Sequence, residues 1–83
     1  MTADLQARWE AAFMNNYGTP PLALERGAGV RVWDTDGREY LDLYAGIAVS
    51  ALGHGHSAVV DAVTRQVKTL AHTTNLVLNR PAL

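Results

Sequence analysis

The chain has 83 residues, 48% of them hydrophobic, with seven basic and eight acidic side chains, a formal net charge of −1 and no cysteine. That apolar content argues against disorder, the scattered arginines do not make the clustered surface that nucleic acid requires, and no disulfide framework or thiolate metal site can form. No stretch approaches the ~20 apolar residues of a membrane span, and the opening MTADLQARWE lacks signal-peptide character, so a cytoplasmic location is the expectation.

A chain of 83 residues allows one small domain. Such a domain buries only about 60% of its unfolded surface, so this one reads as a fragment or an obligate oligomer. Residues 3–14, ADLQARWEAAFM, place Leu5, Trp9 and Phe13 at i, i+4 and i+8 with Ala12 beside them. That is the stripe of an amphipathic helix; Arg8 borders it, and Thr2 is positioned to cap it. Residues 15–21, NNYGTPP, form a loop whose one large side chain is Tyr17. A lone loop tyrosine is usually a packing residue, although loops on rigid scaffolds also carry binding residues.

A short strand is expected over about 22–25, with a turn at Gly27-Ala28-Gly29 that lacks the third glycine and the following helix of a dinucleotide fingerprint. Strands over 30–34 and 39–43 follow, joined at Asp36-Gly37, the favoured type I′ hairpin corner. Pairing around that corner sets Thr35 opposite Arg38, Trp33 opposite Tyr40, Val32 opposite Leu41 and Arg31 opposite Asp42. Val30, Val32, Leu41 and Leu43 then share an apolar face, while Arg31, Trp33, Tyr40 and Asp42 share the other. This register leaves Asp34 opposite Glu39, a like-charge pair that a longer turn would relieve, and both acids are expected to be solvated. Residues 57–71, SAVVDAVTRQVKTLA, carry a helical stripe of Val59, Val60, Val63, Val67 and Leu70. Ser57 is the expected N-cap, and Asp61 and Arg65 make an i,i+4 pair on the outer face. The closing HTTNLVLNRPAL is loop-like.

Between hairpin and helix lies AGIAVSALGHGHSAVV, a small-residue apolar run that ends in His-Gly-His. Three readings compete for it. A metal site would need two more ligands for His54 and His56, and His72 is the one remaining histidine. A phosphate cradle at the helix start lacks the Gly-Lys-Ser/Thr of a P-loop. The plainest reading is a tight turn with its histidines bonded to backbone. On residues alone, the chain is an α+β fold with no assigned chemistry.

Taken together, the ordered run resembles a known family. Asn15-Asn16-Tyr17-Gly18-Thr19-Pro20-Pro21, then LALERGAGVRVWDTDGREYLDL, Gly46-Ile47-Ala48-Val49, Leu52-Gly53-His54-Gly55-His56, Gln66 and His72-Thr73-Thr74-Asn75-Leu76 resemble the N-terminal region of class III aminotransferases. These are fold-type I enzymes that use pyridoxal 5′-phosphate. The resemblance covers about residues 5–81 and is strongest to members acting on N2-acetylornithine in arginine biosynthesis. It implies an N-terminal arm: a helix, a small antiparallel β-meander and a second helix. That arm folds against a large cofactor domain, absent from residues 1–83, and against the partner of a homodimer.

The resemblance also assigns roles by position. Tyr17 matches a loop tyrosine that faces the substrate, Gly46, Ile47 and Ala48 line the cleft, and Asn75 lies near the cleft and the subunit interface. The Gly-His-x-His turn is mainly architectural, with no metal. Ile47 falls where the ornithine δ-aminotransferases of the class carry a tyrosine. An isoleucine has no hydroxyl to donate, which points to N-acetylated ornithine or another ω-amine such as γ-aminobutyrate. Departures from the family pattern are Ser57 for proline, Thr74 for serine and Val77 for tyrosine.

The implied activity is transfer of an amino group from N2-acetylornithine to 2-oxoglutarate. It needs a lysine to anchor the cofactor, an acid on its ring nitrogen and phosphate donors. Lys68 is the one lysine, on the polar face of the second helix, and the family's phosphate, ring-acid and lysine segments are not among these residues. No catalytic, cofactor-binding or metal residue is therefore expected in this chain, and alone it is expected to be inactive. The alternatives are an ornithine, γ-aminobutyrate or diaminopelargonate aminotransferase, or a non-enzymatic interaction module that uses its apolar faces for docking.

Overall fold

The structure, a computed structural model, describes residues 2–83. In chain order it contains helix α1 (Thr2–Ala12), strands β1 (Leu24–Ala28), β2 (Arg31–Asp34) and β3 (Glu39–Leu41), a helical turn at Ala45–Ala48, helix α2 (Ser57–Thr69) and a 3₁₀ turn at Arg80–Ala82. The strands form one antiparallel sheet in the order β1-β2-β3. This is the α+β arrangement that the sequence implies.

α1 takes in Leu5 and Trp9 of the expected stripe but ends at Ala12 rather than 14, and Phe13 lies just past it, where Trp9 stacks on it with ring centroids 5.9 Å apart. Thr2 does not act as an isolated cap: it is already helical, and its hydroxyl meets that of Thr35 at 3.1 Å. The helix is tied to the loop after it, where the Gln6 amide donates to the Pro20 carbonyl at 2.8 Å and Thr19 donates to Glu10 at 2.6 Å. Leu5 and Trp9 face Pro20, Leu22 and Ala23 across an apolar groove.

β1 lies further along than the expected 22–25, because Gly27 and Ala28 continue the strand and Gly29 takes the turn with φ +58°. Ala28 pairs with Arg31, which leaves the two-residue loop Gly29-Val30 with glycine first. A bulge at Glu25 shifts the register, and Arg26 lies 3.7 Å over the Trp33 ring.

The β2–β3 register departs from expectation by one residue. Arg31 pairs with Leu41, Val32 with Tyr40 and Trp33 with Glu39. The loop is longer than a type I′ corner: the Gly37 N–H donates to the Asp34 carbonyl at 3.0 Å, and the Asp34 N–H donates to the Arg38 carbonyl at 3.0 Å. Gly37 holds φ +84°, as a three-residue hairpin with a glycine bulge requires. Val32, Asp34 and Tyr40 therefore share a face, and Arg31, Trp33, Glu39 and Leu41 the other. Asp34 no longer opposes Glu39, and Arg31 forms its ion pair with Glu39 rather than Asp42.

Asp34 is not solvated, contrary to expectation; among the described residues it and Val32 are the buried ones, at 2% and 6% exposure. Its carboxylate accepts from the Asp36 and Arg38 N–H groups, each at 2.9 Å, and from the Tyr40 hydroxyl at 2.9 Å. Burial pushes its pKa up, but the Arg38 N–H, the Tyr40 hydroxyl, the Asp36 N–H and the Arg38 charge outweigh that and hold it below the usual carboxylate value. The same bond pushes the Tyr40 pKa up, because the phenol donates to a carboxylate, with burial adding to the effect.

α2 is capped by His56, not Ser57: the His56 Nδ1 accepts from the Ala58 N–H at 3.2 Å, and Ser57 is the first helical residue. It ends at Thr69 rather than 71, as Leu70 turns extended with φ −161° and ψ 109°. Asp61 and Arg65 do not close an ion pair. The valine stripe of α2 is exposed along its length.

Candidate functional site

The segment between β3 and α2 brings the unusual geometry together. After Leu41 the Asp42 N–H still donates to the Val30 carbonyl at 2.8 Å, so the chain leaves the sheet at a fixed angle. Ala45, Gly46, Ile47 and Ala48 then take φ of +51°, +61°, +60° and +64°, one turn of left-handed helix. Only glycine visits this region freely, and each L-residue costs roughly 1–2 kcal/mol. Ala45, Ile47 and Ala48 together store about 3–6 kcal/mol. Ile47 is β-branched, for which a positive φ is rarest.

Two kinds of contact hold the turn. The Ile47 and Ala48 N–H groups donate to the Tyr44 carbonyl at 2.9 and 3.2 Å, and the Ser50 N–H donates to the Ala45 carbonyl at 2.8 Å. At its entry, the Ala45 N–H donates to Asp42 Oδ1 at 2.8 Å. The other Asp42 oxygen lies 2.7 Å from His54 Nε2. An ionised carboxylate only accepts, so the ring nitrogen is the donor. The Ala45 N–H first, and His54 second, hold the Asp42 pKa below the usual carboxylate value against the opposing effect of burial.

His54 is fixed in turn by the sheet. Its N–H donates to the Gly29 carbonyl at 2.8 Å, and its carbonyl accepts from the Gly29 N–H at 2.9 Å. The ring lies against Gly27, where a Cβ would come within 2.6 Å of His54 Cγ. Gly53, at φ +84°, meets the Gly29 backbone so closely that a Cβ would lie 2.9 Å from its carbonyl oxygen. A hollow of about 260 Å³ adjoins the pair, lined by Val30, Asp42, Ala45, Ser50, Leu52 and His54.

The residues singled out from sequence occupy separate places. Gly46, Ile47 and Ala48 form the left-handed turn, with Ile47 78% exposed. Tyr17 is 94% exposed in the loop before β1, so it is not a packing residue within this chain. Asn75 lines a second hollow of about 310 Å³ with Gln66, His72, Thr73 and Asn79. There Asn79 donates to the Thr73 hydroxyl at 3.0 Å and accepts from the Ala82 N–H at 3.1 Å. His54 and His56 do not converge; one serves Asp42 and the other caps α2. No group of three metal-ligating side chains occurs among the described residues.

Sequence reasoning missed the role of Asp42, which it paired with Arg31. The available signal was Asp42 standing three residues before Ala45, the reach of an aspartate that caps a following turn. Lys68 is exposed near the end of α2 and takes part in neither ion pair found among the described residues.

Residues 12–83 match the family model for class-III aminotransferases. An acetylornithine aminotransferase of Mycolicibacterium smegmatis is 62% identical over 79 residues, which is 95% of this chain and 20% of that protein. One from Streptomyces coelicolor is 59% identical over 78 residues, covering 94% of this chain and 19% of that protein. Among solved structures, the ornithine aminotransferase of Toxoplasma gondii ME49 superposes with a TM-score of 0.88 at 34% identity, covering 96% of this chain and 19% of that one. The acetylornithine aminotransferase of Elizabethkingia anophelis gives 0.88 at 32% identity, covering 95% of this chain and 21% of that one. The chain thus spans about a fifth of the length of the relatives it matches. Among the described residues no helix is long and apolar enough to cross a membrane.

Proposed function

Because the chain belongs to the class-III aminotransferase family, we propose that it serves a pyridoxal-phosphate-dependent transaminase that moves the amino group of N2-acetylornithine to 2-oxoglutarate. The observation that carries the donor assignment is the identity of 62% and 59% to two proteins named for acetylornithine. Superposition on an ornithine aminotransferase does not compete with it, since a shared fold leaves the substrate open. Ile47 supports the same choice: it is exposed on the left-handed turn and has no hydroxyl to offer a free α-amino group.

In this reading Gly46, Ile47 and Ala48 line the donor cleft, and Tyr17 and Asn75 approach it from other parts of the assembled enzyme. When bound, pyridoxal phosphate supplies the electron sink for transamination. Its lysine, ring acid and phosphate donors belong to residues other than these, and the 83-residue chain alone is inactive. Exposed Lys68 is a surface residue in this scheme. A homodimer and a cytoplasmic location belong to the same proposal; the apolar faces left open by the chain support the first.

The test is a chimera in which this chain replaces the matching 79 residues of the Mycolicibacterium smegmatis relative. It should load pyridoxal phosphate and turn over N2-acetylornithine with 2-oxoglutarate. Failure to use N2-acetylornithine, in a folded and loaded chimera, refutes the assignment.

A further inference from the structure

We propose that Asp42 and His54 are positioning residues of the donor cleft, which hold the turn Ala45–Ala48 in the left-handed form that presents Gly46, Ile47 and Ala48 to the amino donor. The proposal rests on the reading of those three residues as cleft lining. No residue of the turn is buried, so packing within the chain does not select its hand. The bonds to the Tyr44 carbonyl do not select it either, because i→i+3 and i→i+4 closures form in either hand. What differs is the direction in which the chain enters. That direction is set where the Ala45 N–H meets Asp42 Oδ1 at 2.8 Å.

Asp42 alone is a poor anchor, since a carboxylate rotates about its own side-chain bonds. His54 removes that freedom by holding the second oxygen at 2.7 Å. His54 is itself locked to Gly29 by two backbone bonds of 2.8 and 2.9 Å, with its ring on Gly27. A continuous line of short contacts thus runs from the β1–β2 hairpin to the first residue of a strained turn. Strain of this kind persists only where its surroundings over-determine it, and it concentrates at functional positions. A misplaced cleft wall weakens substrate binding and alignment. The pair therefore acts on the donor through Ala45, without touching it.

The chimera described above provides the test, with the unmodified chain as reference. His54→Ala and Asp42→Ala should each raise KM for N2-acetylornithine about tenfold, with kcat held within about threefold. His54→Gln should restore KM, because its amide N–H reaches the position of the imidazole Nε2–H. Val32→Ala, in the sheet, is the control for stability alone: it should lower the thermal midpoint and leave KM unchanged. The proposal is overturned if the alanine variants behave like Val32→Ala, or if His54→Gln behaves like His54→Ala. If the alanine variants do not accumulate, Asp42→Asn and His54→Phe, which keeps a ring on Gly27 but has no N–H, are compared singly and together. One shared clamp requires that the double variant lose no more than the worse single one, and losses that multiply overturn it. If the unmodified chimera uses no donor, the functional reading has failed, and this proposal with it.

Discussion

At Asp34 three donors converge on one carboxylate, and the pH response of the hairpin follows from them. A carboxyl whose folded pKa is depressed contributes stability that is fully present above its unfolded value. That stability is lost as the pH falls through the ordinary carboxylate range to the lower folded value. Tyr40 has the opposite sign: its folded pKa is raised, so its contribution is present below the ordinary tyrosine value and is lost as the pH rises through the folded one. Thermal midpoints measured against pH should therefore fall at both extremes. Asp34→Asn should flatten the acid limb, and Tyr40→Phe the alkaline one. Unchanged limbs in those variants would show that other groups govern them. Ile47 makes a second prediction at this scale. Ile47→Tyr adds a hydroxyl to the exposed turn, and in the chimera it should shift kcat/KM toward ornithine by about tenfold relative to N2-acetylornithine. No change in that ratio would remove Ile47 as a determinant of donor choice.

Among the elements, the two amphipathic helices were readable because their apolar spacing is local. The sheet was readable in kind but not in register. Asp36-Gly37 suits a two-residue corner and a glycine-bulged loop equally well, and pattern alone does not decide between them. The decision is made by the Asp34 carboxylate, which gathers the Asp36 and Arg38 N–H groups and so favours the longer loop. That shift of one residue moves Tyr40 onto the face of Val32 and separates Asp34 from Glu39. The left-handed turn was not readable at all, since Ala45, Ile47 and Ala48 individually disfavour it. It is imposed by the contact of Ala45 with Asp42, and through it by His54. The same dependence predicts where small substitutions do harm. Gly27→Ala drives a methyl into the base of the His54 ring and should cost about 1–3 kcal/mol, read as a drop in thermal midpoint. Gly18→Ala, whose Cβ meets nothing, should cost no more than the roughly 1–2 kcal/mol of its positive φ. A loss well below about 1 kcal/mol for Gly27→Ala would mean that the contact with His54 is not tight in solution.

The whole molecule is far more open than a free-standing domain. A compact protein of 9.0 kDa exposes about 4,850 Å² and has a radius of gyration of about 12 Å. This chain exposes 7229 Å² with a radius of gyration of 17.2 Å. The excess of about 2,400 Å² lies at the upper end of the roughly 1,000–2,500 Å² that one partner buries in an obligate interface. The valine stripe of α2, together with Leu43, Val49, Leu76 and Leu78, makes up much of the apolar part. Length and composition anticipated this marginal core, whereas the positions of the open faces needed the structure. Calorimetry of the isolated chain should give an unfolding enthalpy well below the ~58 kcal/mol expected of a domain this long at about 0.7 kcal/mol per residue. A sharp transition near that value would favour an independent interaction module over a segment of a larger enzyme.

The most direct measurement is kcat/KM of the chimera for N2-acetylornithine against ornithine, with 2-oxoglutarate as acceptor. The donor assignment proposed above, with Ile47 read as cleft lining, predicts a preference for N2-acetylornithine of at least about tenfold. Equal or better use of ornithine, or a folded and cofactor-loaded chimera that uses neither donor, would contradict it.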